Sequence, residues 1–332
     1  MSKLTRIQTP TEGYERHYPK IVELANKQLE EQLWFSSEME VKLDRMSLLY
    51  QLTPEQTHAV KTVLSSFVRY ELMVGEMWKR VAEVFPRPEV QLAASVVEMV
   101  ERAIHAEFYN QINVQLGIDK DENYLEFKND KVLNERAKWF GDVLSGEDKI
   151  LSVIIFSLTE TALLFSPFSI LKSFQSNGMN ELSVIVRGTN QSAIDEDLHG
   201  QISAEIINTY YHELGTTLFE DKTRYAKVIE AVHKAFEHEQ QITRKAIPSG
   251  SLNGNTVEQF DTFVKYRLNI YLERLGLPPE FEIDENPIAD WFEKNTYAFK
   301  VVDFFTAGQG MEYESSWNTE AFKSAWLIKG DV

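Results

Sequence analysis

Apolar side chains recur every three to four residues through most of the chain. The run Leu92, Val96, Val97, Val100, Ile104, Phe108 and Ile112 is one example, and that spacing lines one face of an α-helix. The same period predicts long helices over roughly 54–82, 88–116, 130–145, 147–174, 180–214, 220–246 and 256–275. Strand-like alternation is nearly absent. The breaks fall on clusters of Pro, Gly and Asn: FPRPE (85–89), SFQSNGMNE (173–181), IPSGSLNGN (247–255) and LGLPPEFEIDENP (275–287). No linker is long enough to divide the chain, and no short internal repeat stands out. The pattern predicts one all-α domain over residues 1–305. The stretch 306–332 mixes aromatic and small residues without clear period, and is expected to be a mobile, partner-binding tail.

Four of these helices carry an acid in apolar surroundings. Glu71 lies in VRYELMVGEMW, Glu101 in VERAIH, Glu160 in FSLTETALLF and Glu196 in SAIDEDLHG. His105 follows Glu101 by four residues, and His199 follows Glu196 by three. The order is Glu, Glu with His, Glu, Glu with His. Dinuclear, carboxylate-bridged metal sites in ferritin-like helical bundles need this inventory. Residues three or four apart share a helix face, so a carboxylate and an imidazole reach one ion together. Four carboxylates offset two divalent ions, and oxygen with imidazole suits iron or manganese. Burying an unpaired carboxylate costs several kcal/mol, so Glu160 inside the apolar run 150–171 calls for a buried cation.

Taken singly, each of these residues has a plainer explanation. A helical Glu is usually solvated, and one Glu-x-x-His match arises by chance; the ordered set of six residues is what carries weight. His17, His58, His212, His233 and His238 sit in polar sequence and read as surface residues, and Glu98 and Glu107 as supporting or solvent-facing. YYHEL (210–214) begins like a zinc-protease motif but lacks the second His. The residue three before His105 is Arg102, so Glu101 acts either as an i, i+4 partner or across a π-bulge.

A net charge of −17 without a basic stripe argues against nucleic-acid binding. The absence of Cys excludes disulfides, thiolate metal sites and Cys nucleophiles. No apolar h-region appears in the first 30 residues, and Glu160 interrupts the longest apolar run. A cytoplasmic protein with no membrane segment is expected.

The motifs LWFSSEMEVKLD (33–44), RYELMVGE (69–76), ERAIHAEFYN (101–110), TETALLF (159–165) and RGTNQSAIDEDLHG (187–200) resemble those of the radical-generating small subunit of class I ribonucleotide reductase. The resemblance spans about residues 25–315. It implies Glu71, Glu101, His105, Glu160, Glu196 and His199 as ligands of two metal ions. The family often has Asp as first ligand, and Glu71 departs from that as in some subgroups. Tyr109 stands where the family places its radical tyrosine. Trp34 and Asp195 match the pair that, with a metal-bound His, begins the radical route outward. Glu71 and the four-residue Glu101–His105 spacing are similar to a subgroup whose manganese pair itself holds the oxidising equivalent, which would make Tyr109 a spectator. Manganese is therefore preferred over iron.

The implied partners are a large (alpha) subunit holding the nucleotide and a second copy in a homodimer. Without Cys the chain forms no substrate thiyl radical of its own, so it needs that large subunit. Tyr313, in GMEYESSW, is the candidate relay in the tail. A ferritin-like two-metal oxidase or oxygenase acting on a small substrate would share the six ligands but needs neither Trp34, Asp195 nor the tail. A helical scaffold without chemistry would leave Glu160 and Glu196 exposed.

Overall fold

The first helix, α1 (Pro19–Glu31), begins at a proline, where no backbone N–H is required. It buries Ile21, Val22, Leu24, Ala25 and Gln28. This element is not among the helices expected above, although its buried residues recur at helical spacing. The computed structural model describes residues 4–13, 15–120 and 129–294, apart from the side chains of 68–72. The chain divides into units of residues 1–289 and 290–332, and every element named here belongs to the first. Tyr313 and the stretch 306–332 lie outside the described residues.

Helix α2 (Pro54–Val84) starts where Thr53 and Gln56 cap one another's backbone N–H groups. Helix α3 (Pro88–Val100) passes through a π-turn, Glu101–His105, into α4 (Ala106–Leu116), which ends on left-handed Gly117. Asp130 and Asp148 cap α5 (Lys131–Ser145) and α6 (Lys149–Leu158). A second π-turn, Thr159–Leu163, joins α6 to α7 (Phe165–Lys172). Helix α8 (Ser183–Leu214) has no N-terminal side-chain cap of its own. Buried Asp44, in a short helical turn (Val41–Asp44), supplies one by accepting from Ile185 N at 2.8 Å.

Helix α9 (Lys222–Ala246) starts at Asp221. A two-residue hairpin, β1 (Ser251–Leu252) and β2 (Asn255–Thr256), then leads into α10 (Val257–Arg274). The hairpin falls in a stretch that the sequence marks only as a connection.

Helices α2, α3 with α4, α6 with α7, and α8 pack around one core. Phe67, Trp78, Val97, Phe108, Phe156, Phe168, Leu198 and Ile202 fill it. Helix α1 lies on α3 and α8, and α10 lies against the second π-turn. The helix Lys149–Gln175 is long and apolar enough to cross a membrane by length and composition, contrary to the sequence expectation. The π-turn lets it continue through Glu160. In this fold 94% of its apolar window is buried.

His238, expected at the surface, is only 2% exposed and packs edge-on to Trp139 at 5.5 Å. It sits beside the buried ion pair of Arg136 and Glu239, 2.6 Å apart.

Candidate metal centre

Five of the six expected ligands converge in the core. The π-turn at 101–105 holds one residue more than an α-helical turn, and it brings Glu101 and His105 into the core together. Glu160 enters from the second π-turn, Glu196 and His199 from α8. Donor atoms of Glu101, Glu160, Glu196 and His199 lie within 4.8 Å of one another, and all four side chains are fully buried. Both imidazoles turn Nδ1 toward the carboxylates. His105 Nδ1 is 3.1 Å from Glu196 Oε1 and 3.4 Å from Glu101 Oε2. His199 Nδ1 is 3.0 Å from Glu101 Oε1 and 3.2 Å from Glu196 Oε2. Glu71 lies on α2, but its side chain is outside the described residues.

These groups fit a cation better than they fit each other. Both carboxylate oxygens of Glu101, Oε2 of Glu160, Oε1 of Glu196 and Nδ1 of His105 are buried without a hydrogen bond of proper geometry. Leaving such atoms unpaired is costly unless a further charge satisfies them. Protons supply that charge in the metal-free protein. Burial would hold His105 and His199 neutral, but the surrounding carboxylates override it and raise both well above the usual imidazole range. Burial and the neighbouring Glu196 push Glu160 far up. Burial opposes ionisation of Glu196 too, yet bonds from Glu160, His105 and His199 hold its carboxyl low. Glu101 is likewise held low by His105 and His199 against burial and the charge of Glu196. The donor set therefore suits a cation.

Asp195 connects it outward. Its Oδ2 accepts from His105 Nε2 at 3.0 Å and from Trp34 Nε1 at 2.7 Å, and its Oδ1 accepts from Gln28 at 2.9 Å. All four residues are buried. Tyr109 follows His105 by one turn and stacks on Phe67, ring centroids 4.2 Å apart. Phe108 packs where Gly188 leaves room on α8; a Cβ there would stand 2.2 Å from its ring.

Gln28 and Trp78 are contributors that sequence reasoning missed. Trp78 donates its indole N–H to Glu160 Oε1 at 2.5 Å. Its only sequence signal is its place two turns after Glu71 on the same helix. Glu98 instead pairs with Lys79 and Arg102, and Glu107 is exposed.

A ferritin-like helical bundle around a buried carboxylate and histidine cluster is the class this fold and site define. The family model for "Ribonucleotide reductase, small chain" matches residues 13–287. The chain belongs to that family. A probable ribonucleoside-diphosphate reductase small subunit of Invertebrate iridescent virus 3 is 23% identical over 299 residues, covering 82% of this chain and 76% of its own length.

Among solved structures, a putative class I ribonucleotide reductase from Bacillus halodurans superposes with a TM-score of 0.73 at 21% identity, covering 83% of this chain and 99% of that one. The dimanganese(II) form of NrdF from Streptococcus sanguinis gives 0.74 at 18% identity, covering 86% and 99%. The chain is accordingly an oxidoreductase component, the small chain of a ribonucleotide reductase. A scaffold reading requires exposed Glu160 and Glu196, and both are fully buried.

Proposed function

We propose that the cluster holds two metal ions and that the chain passes an oxidising equivalent from there through Trp34 to a large, nucleotide-holding subunit. Glu71, Glu101, His105, Glu160, Glu196 and His199 would hold the ions, manganese in preference to iron. A similar fold described with dimanganese(II) supports that preference. When bound, the pair would supply the oxidising power by reacting with an oxygen species.

The chain's own residues handle the transfer. The observation that carries the reading is the buried hydrogen-bond path from His105 through Asp195 to Trp34. On losing an electron, Trp34 gives its Nε1 proton to Asp195 Oδ2. An electron arriving from the large subunit by way of Tyr313 restores the indole, and the proton returns. Gln28 keeps Asp195 oriented for both donors. Tyr109 is a spectator in this scheme. The working assembly is a cytoplasmic homodimer of this chain with the large subunit.

The test compares Trp34→Phe with the unmodified protein, each mixed with the large subunit and substrate. Unchanged metal content with turnover lost is expected. Full turnover from Trp34→Phe would overturn the route, and a well-folded parent chain that takes up neither metal would overturn the centre.

A further inference from the structure

Helix α10 sends two arginines toward α8 and the second π-turn. Arg267 is nearly buried and sits over Phe165, with Cζ 3.4 Å from the ring centre. Its Nε donates to the backbone oxygen of Thr161 at 2.9 Å, and its Nη2 donates to Asp197 Oδ1 at 3.4 Å. Thr161 follows Glu160 directly in the π-turn, and Asp197 follows Glu196 directly on α8. Arg274 completes the joint, donating to Asp197 Oδ1 at 2.6 Å and to its backbone oxygen at 3.2 Å. Gln201 holds the other Asp197 oxygen at 3.0 Å. Gly200 makes room for this meeting: a Cβ there would stand 2.5 Å from Thr161 Oγ1 and 2.6 Å from Arg274 Nη1.

We propose that Arg267 is a positioning residue for the metal centre. By bonding Thr161 and Asp197 at once, it fixes the spacing between Glu160 and the Glu196–His199 pair. The inference rests on reading the cluster as a metal centre. Its physical basis is that a π-turn is a looser element than an α-helix and needs an outside partner to hold one geometry. The guanidinium suits the task because its planar fork presents donors in two fixed directions. Groups that hold metal ligands in place typically alter affinity 10- to 100-fold when removed, about the range expected here.

Charge and position predict opposite results for one variant. Removing the Arg267 cation from beside a cation site should tighten metal binding if only charge matters. Arg267→Met in the full chain is therefore titrated with Mn(II), with free ion and the spectrum of the bound ions followed by electron paramagnetic resonance. Thermal unfolding of the metal-free protein is recorded in parallel. Affinity weakened about tenfold or more, an altered bound-ion spectrum and a metal-free melting temperature close to the parent's are expected. Arg267→Lys keeps the charge but cannot reach both partners, and should fall between the two. Asp197→Asn tests the same joint from α8 without touching α10, and should also weaken binding.

Parent-like or tighter binding by these variants would overturn the proposal, as would affinity loss that merely tracks a loss of metal-free stability. A parent chain that binds no Mn(II) would instead remove the metal-centre reading itself.

Discussion

Trp34 and His105 donate to the same oxygen, Oδ2 of Asp195, at 2.7 and 3.0 Å. Accepting from both donors, that oxygen faces His105 Nε2 and leaves Nδ1 to face the glutamates. One side chain thus orients an expected ligand and the first residue of the proposed outward route. Asp195→Ala strands the Gln28, Trp34 and His105 donors in the core. It should destabilise the protein by about 3 kcal/mol and abolish turnover with the large subunit, as read by chemical denaturation and product formation. Turnover near the parent level would contradict the shared role of this carboxylate.

Metal content follows from the converging carboxylates. Protein loaded with Mn or Fe should carry close to two ions per chain, and Glu196→Ala or His199→Ala should lose most of them by elemental analysis.

The pH dependence of loading has a definite sign. In the metal-free protein His105, His199 and Glu160 all keep their protons to higher pH than usual. An incoming ion must displace them. Uptake therefore releases protons, and affinity falls as pH falls, by about tenfold per unit for each proton released. Titration at two pH values, in buffers of different ionisation enthalpy, counts those protons. Affinity independent of pH between 6 and 8 would contradict this exchange of protons for metal.

Tyr109 separates two stores of the oxidant. With the metals as the store, Tyr109→Phe retains much of the activity and the same metal-centred paramagnetic signal. A sharp tyrosyl signal in the parent, lost together with activity in the variant, would assign the store to this phenol instead.

The tail provides a further test. Truncation after Gly310 should spare metal binding but remove association with the large subunit and turnover. Tyr313→Phe alone should spare association and stop turnover. Normal turnover from Tyr313→Phe sinks the relay role, and full activity of the truncated chain sinks the docking role as well.

Sequence alone reveals those parts of this molecule that repeat along one helix. The apolar period locates α2 through α10 to within a few residues, because the side chains each buries recur at helical spacing. The Glu and His spacings locate the centre because ligands on one helix are fixed by its geometry. Asp44 escaped because it caps a helix some 140 residues away. Gln28, Trp78 and Arg267 escaped for a related reason. Their partners lie on other helices, and no local spacing records a contact made across the core. The four-residue gap between Glu101 and His105 is intermediate: it admits either an ordinary turn or a π-turn, and the folded chain adopts the π-turn.

Gly188 and Gly200 lie inside α8, where glycine costs roughly 0.5–1 kcal/mol relative to alanine. Routine thermostabilisation would replace both. Here a single added methyl would meet the Phe108 ring at one site and Thr161 with Arg274 at the other. The helix is weaker in isolation than its length suggests, and its rigidity is lent by neighbours that only a bare backbone admits. Consensus helix-strengthening applied to α8 would therefore trade a stiffer rod for a looser grip on the residues around Glu196 and His199.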